Sequence, residues 1–199
     1  PGITNVAAFH AALYALHPFN NGNKRVCRIL EHLLLRSQKI NAKNLYSPSY
    51  YYHKEKDRYY KYLLATLQKH NLNYFVAFFQ EAVSLSLVSV LKTAVEMKRE
   101  DYLNKFPLEL PAKTLFTHLI KQKKIQFKNL ARYTKNKMAR QTLVDYLQKA
   151  QDLEIITKEE KGRTSFYSLN LDLPEEKIIS RWLSRLSKKL PYIPAEFST

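Results

Sequence analysis

The residues with the most chemical content form one run, His17-Pro18-Phe19-Asn20-Asn21-Gly22-Asn23-Lys24-Arg25-Val26-Cys27-Arg28. The imidazole of His17, with an ordinary pKa of about 6.5, can take a proton from an attacking hydroxyl at neutral pH. Gly22 has no Cβ, so an anion can approach its backbone closely. A helix beginning just after it would offer unpaired N–H groups and a partial positive charge to a phosphate. Arg25 and Arg28 stand three apart on one face of such a helix, where their planar forks can neutralise further phosphate groups. The chemistry these parts suit is a polyphosphate held beside a base that activates a hydroxyl.

The run resembles the signature of the Fic family, H-x-F-x-[D/E]-G-N-G-R-x-x-R, and meets it at His17, Phe19, Gly22, Asn23, Arg25 and Arg28. That resemblance implies a transferase that moves AMP from ATP to a Ser, Thr or Tyr hydroxyl of a target protein and releases pyrophosphate; the single cysteine and the lack of a membrane span or signal-peptide layout add the expectation that it is cytoplasmic. It implies His17 as general base, Asn21 at the Mg²⁺ position, the backbone of Gly22, Asn23 and Lys24 as anion hole, Arg25 and Arg28 as phosphate clamps, and Phe19 as a core anchor. Downstream, Arg58-Tyr59-Tyr60 with Leu63 and Leu64 is similar to the Tyr-Tyr helix that borders the nucleotide in this family, which adds Tyr59 and Tyr60 to the nucleotide-binding set. The likeness spans residues 5–85, the later part of a Fic core. The hairpin flap that normally precedes the motif is missing from these residues, and the inhibitory pattern [S/T]-x-x-x-E-[G/N] does not appear.

Two positions depart from the signature. Asn21 replaces an acidic residue, which removes a formal charge from the ligands of a hard cation and weakens Mg²⁺ binding. Lys24 replaces the second glycine and puts an ammonium at the anion hole. The Asn-Lys-Arg ending resembles Doc, a Fic relative that transfers the γ-phosphate of ATP. Three readings therefore stand: AMP transfer, Doc-like phosphate transfer to a protein hydroxyl, and a catalytically impaired nucleotide-binding regulator.

The elements that position the run are helical. Phe9, Leu13 and Leu16 repeat at helical spacing, predicting a helix over 6–16 that Pro18 helps to end. Val26, Ile29, Leu30, Leu33 and Leu34 predict the buried stripe of a second helix reaching about Gln38, capped by Asn21 or Asn23. Residues 39–56, with Pro48 and Tyr50-Tyr51-Tyr52, read as a loop whose tyrosines pack with hydroxyls outward. A helix resumes over 59–69. The long span 74–104 carries two apolar stripes, one through Val76, Phe79 and Val83 and one through Phe75, Phe78 and Ala82, as a central core helix or an oligomer contact would. Cys27 reads as packing, and His10, His32, His53, His70 and His118 as surface or packing residues without metal-ligand spacing.

Beyond Phe106-Pro107-Leu108-Glu109-Leu110-Pro111, three short helical patterns and two strand patterns, 153–158 and 164–171, resemble a winged helix. The expected fold is mainly α: a Fic-like helical core over 1–105, a linker over 106–112, a winged-helix module over 113–172 with a small β-hairpin, and a C-terminal helix and tail over 173–199. With 199 residues the chain can bury one sizeable core and a smaller second one. Its formal charge of +16 predicts polyanionic company, and nine Lys/Arg without a carboxylate lie between Lys113 and Arg140. Lys135, Lys137, Arg140, Lys161 and Arg163 are the residues expected to touch DNA, with a protein contact through the same module as the alternative. A single cysteine fits a reducing compartment. No apolar stretch reaches the roughly 20 residues that span a bilayer, so no membrane partner is expected.

Overall fold

The computed structural model describes residues 2–135 and 137–194. The first residue of the domain read over 1–105 and the last five of the tail read to 199 lie outside them. The elements run α1 (Gly2–Leu16), α2 (Asn23–Ser37), α3 (Pro48–Lys54), α4 (Lys56–Gln68), α5 (Asn73–Asn104), α6 (Leu110–Lys121), β1 (Ile125–Gln126), α7 (Phe127–Thr134), α8 (Arg140–Asp152), β2 (Ile156–Lys161), β3 (Thr164–Leu169) and α9 (Pro174–Leu186). The fold is mainly helical with one small antiparallel sheet. Two compact units divide within α5, between Val90 and Leu91, and within α9, after Trp182. The proline-rich segment 106–112 thus lies inside the second unit. Pro111 sits in the first turn of α6, where its missing N–H costs nothing.

In the first unit, α1 and α2 pack as neighbours, and the core between α1, α3, α4 and the first half of α5 is aromatic: Tyr51, Tyr52, Tyr59, Phe75, Phe78 and Phe79 are fully buried. The rings of Tyr52 and Tyr59 stack with centroids 4.9 Å apart. The predicted stripes of α1 and α2 are out of phase with this core. Phe9, Leu16, Ile29 and Leu33 are exposed, while Val6, Ala7, His10 and Ala11 on α1 and Asn23, Cys27, Glu31 and Leu35 on α2 face inward. The segment read as a loop contains α3. Ser47 caps it by accepting the Ser49 N–H at 3.3 Å, and Pro48 opens it, a start signal rather than a break.

The first half of α5 buries the stripe through Phe75, Phe78, Ala82, Leu85 and Val88, as a core helix does. By length and composition alone α5 is long and apolar enough to cross a membrane, contrary to the expectation that no such stretch exists. Its apolarity is accounted for by the core it fills, and Glu81 within it is buried in a bidentate pair with Arg58.

In the second unit, α6, α7 and α8 close over Leu115, Phe116, Leu119, Leu130, Leu143 and Leu147. The sheet has strand order β1-β3-β2, with Ile125 opposite Tyr167 and Ile156 opposite Leu169. The β2–β3 turn is made by Gly162 and Arg163. Gly162 has φ +60°, as the first central position of a tight hairpin turn requires.

Candidate active site

α1 ends because His17 adopts a left-handed conformation, φ +47°, while its N–H still reaches the Leu13 carbonyl at 3.2 Å. Pro18 cannot continue the helix, and the chain reverses through Asn20 and Asn21 to Gly22, whose φ of +81° sets the entry into α2. No side chain caps α2, so neither Asn21 nor Asn23 fills the capping role expected of it. Asn23 points backwards: its Oδ1 accepts the Phe19 N–H at 3.0 Å and its Nδ2 donates to the Phe19 carbonyl. That pinch closes the loop from 19 to 23 and leaves the backbone N–H groups of Gly22, Asn23 and Lys24 without a partner among the described residues. The Arg25 and Val26 N–H groups turn onto the Gly22 carbonyl at 2.9 and 3.0 Å. A mouth of open amides results, the kind of helix start at which an anion can be held.

The side chains around this mouth divide clearly. His17, Asn20, Asn21 and Arg25 are exposed. A Cβ built on Gly22 would lie 3.6 Å from Nη2 of Arg25, so that guanidinium is folded alongside the loop. Lys24 does not stand free: its ammonium lies 4.7 Å from the ring centre of Tyr60 on α4, and the Tyr60 hydroxyl, ahead of every other influence, holds its pKa above the ordinary lysine value. Phe19, expected as a core anchor, is 49% exposed, because the pinch by Asn23 takes its backbone and leaves its ring outside.

Arg28 is half-buried. Its guanidinium carbon lies 5.6 Å from the ring centre of Tyr52 and 5.5 Å from that of Tyr59, and its Nε is buried with no acceptor among the described residues. Tyr59 is itself fully buried, so it cannot border a nucleotide directly as the sequence suggested. It forms a shelf under Arg28, and its hydroxyl is taken up by Nε2 of His10 at 2.9 Å. The other ring nitrogen of His10 meets Glu31 Oε2 at 2.5 Å, and the Tyr52 hydroxyl donates to the same oxygen at 2.9 Å. Burial raises the pKa of both Tyr52 and Tyr59 above the ordinary tyrosine value, with Glu31 adding to the rise at Tyr52. Cys27, one residue before Arg28, is buried, and desolvation followed by Glu31 raises its thiol pKa.

The sequence reading missed His10, Glu31 and Tyr52 as a unit, and also Arg58, Tyr51 and Glu81. Arg58 Nη1 and Nη2 donate to Glu81 at 2.6 and 2.9 Å, Nη1 also reaches the Tyr51 hydroxyl at 3.1 Å, and that hydroxyl donates to Glu81. The signal for Glu31 was present: it repeats at four-residue intervals with Asn23, Cys27 and Leu35, on one face of α2.

A magnesium ion is not matched by the residues present. Asn21 offers a single neutral oxygen, and among the described residues no group of three His, Cys, Asp or Glu side chains could hold a metal.

The five residues read as a DNA contact fall in different places. Lys135 follows α7, Arg140 opens α8 with its guanidinium 5.5 Å over the Phe127 ring, and Lys137 lies between them, all exposed. Arg163 is in the hairpin turn. Lys161, at the end of β2, is paired with Glu159 at 3.4 Å.

The family model described as Fic/DOC family matches residues 1–35, which take in α1, the loop and nearly all of α2. No curated protein matches the chain. Over that segment, and on a partial match, the chain is similar to the Fic/DOC family.

Proposed function

We propose that this chain carries the donor-binding end of a Fic-type transferase, which moves AMP from ATP to a hydroxyl of a target protein. The observation that supports the reading most is the pairing of three unpartnered amides at Gly22, Asn23 and Lys24 with two arginines on the first turns of the same helix. In this reading the amides and Arg25 hold donor phosphates. Arg28, on its shelf of Tyr52 and Tyr59, sits deeper and faces the next phosphate. His17, exposed beside the mouth, accepts the proton of the attacking hydroxyl as its oxygen bonds to the α-phosphorus. The bond to the leaving pyrophosphate breaks, and its charge stays with the arginines and amides. No step is routed through a metal.

Lys24 supports a second reading. A cation at the second glycine position is what resembles Doc, and its engagement with Tyr60 places a positive charge beside the mouth. With ATP reversed, the same His17 would activate a hydroxyl against the γ-phosphorus and ADP would leave. In both readings the second unit is a winged helix, which its order α6-β1-α7-α8-β2-β3 fits.

The test is a pair of labelling reactions with the full chain, a set of proteins as acceptors and either α- or γ-labelled ATP. α-Label on a protein is expected and γ-label alone would favour the second reading. Neither label, with nucleotide still bound, would leave a regulator. His17→Ala removes either signal without removing nucleotide binding.

A further inference from the structure

We propose that the groove between α7 and α8 receives an acidic, amphipathic segment of a partner protein. The proposal is independent of the transferase reading. The groove has a volume of about 500 Å³, within the span of roughly 300–1,000 Å³ over which concave sites enclose a ligand. Lys128, Arg132, Lys135 and Arg140 line it, and none of them is ion-paired among the described residues. Arg132 and Arg140 instead lie 5.5 Å over the rings of Tyr133 and Phe127. Among the described residues no carboxylate lines the groove. Between these cations the lining is apolar, with Ala131, Met138 and Leu143. Cations around an apolar lining suit a helix or strand that presents carboxylates at its edges and an aliphatic side chain at its centre.

Duplex DNA fits the same unit less well. On the hairpin that would follow a backbone the lysines are paired, Lys161 with Glu159 and Lys158 with Glu160, while Lys124 beside it also meets Glu159, which leaves Arg163 at the turn as the hairpin cation without an ion pair among the described residues. The outward face of α8 carries Asp145 and Asp152, each held by a glutamine one turn earlier, at 2.9 and 2.8 Å. Carboxylates on that face would oppose phosphates on entering a major groove. Four cations without an ion pair among the described residues gather at the groove, where the apolar lining also lies.

The probe is a short labelled helix-forming peptide with Glu on one face and Leu at i, i+3, i+4 and i+7 on the other, followed by fluorescence anisotropy with the full chain. Controls are a scrambled peptide of the same composition and a labelled DNA duplex. The striped peptide is expected to bind, to weaken as salt rises, and to lose about tenfold in affinity when Lys135→Glu and Arg140→Glu are combined. Ala139→Asp, at the cap of α8, places a carboxylate in the lining while supplying the helix with a capping side chain, so folding is retained. It is expected to cost a similar factor with no fall in melting temperature. Equal binding of the scrambled peptide, indifference of the striped peptide to both variants, or tighter binding of the duplex through the same residues would each overturn the proposal.

Discussion

Arg28 rests against the ring of Tyr59, whose hydroxyl is held from the opposite side by His10 at 2.9 Å. The guanidinium that the proposed function assigns to a phosphate is thus aimed by a chain of buried groups that ends at the Glu31 carboxylate. Arg28 and His10 belong to adjacent helices, and the shelf makes the angle of the arginine depend on how α1, α2 and α4 pack.

Tyr59→Phe keeps the shelf and removes the hydroxyl, leaving Nε2 of His10 unpaired in the core. A loss of about 1–3 kcal/mol in urea unfolding is expected, with nucleotide affinity little changed. Tyr59→Leu removes the ring as well and is expected to weaken nucleotide binding beyond what the stability loss explains, as titration calorimetry would read.

Gly22→Ala tests the loop. At φ +81° an added Cβ is strained whatever the room around it, and the cost is expected to be about 1–2 kcal/mol. Arg25, 3.6 Å from that Cβ, has room to stay, so any fall in nucleotide binding is expected to follow from the strained loop that carries the open amides. An alanine variant as stable as the parent would show that the loop does not need this conformation.

Arg58→Ala leaves the Glu81 carboxylate buried inside α5 without its counter-ion and with the Tyr51 hydroxyl as its remaining donor, and about 3 kcal/mol of stability is expected to go. Replacing both partners, Arg58→Met with Glu81→Leu, is expected to cost clearly less than the single change. Denaturation midpoints of the three variants separate a paired charge from simple packing.

Alkaline pH supplies a test that needs no mutation. Tyr51, Tyr52 and Tyr59 all have pKa values raised above the ordinary 10.0, chiefly by burial. Between the unfolded and folded values the folded state holds more protons than the unfolded one, so stability falls as pH rises. Their contribution is complete below about pH 10 and declines above it, at up to about 1.4 kcal/mol per pH unit for each tyrosine. Tyrosinate absorbance at 295 nm is expected to rise in two stages, the second coincident with loss of helical circular dichroism.

The parts legible in the sequence were those where apolar side chains report burial. α5 could be read from its two stripes, and α6, α7 and α8 from short helical patterns. The phase of α2 could not, because its inward face sets Asn23 and Glu31, which resemble surface residues by type, on either side of Cys27, while Ile29 and Leu33 remain outside. α3 was concealed by Pro48, whose meaning depends on Ser47 before it. At the site, the residues nearest the mouth were adjacent in the chain and readable. Their support was not: Glu31 and Tyr59 lie 21 and 49 positions from His10, and only the packed helices bring them together.

The lone thiol has a use that follows from its place. Cys27 is sealed on the inner side of α2, one residue before Arg28, and its raised pKa keeps it as an unreactive thiol. Reagents for sulfhydryls can reach it only when that helix swings away from its neighbours. The speed of alkylation is therefore a clock for breathing at the mouth, and a bound nucleotide, by holding α2 shut, would slow it.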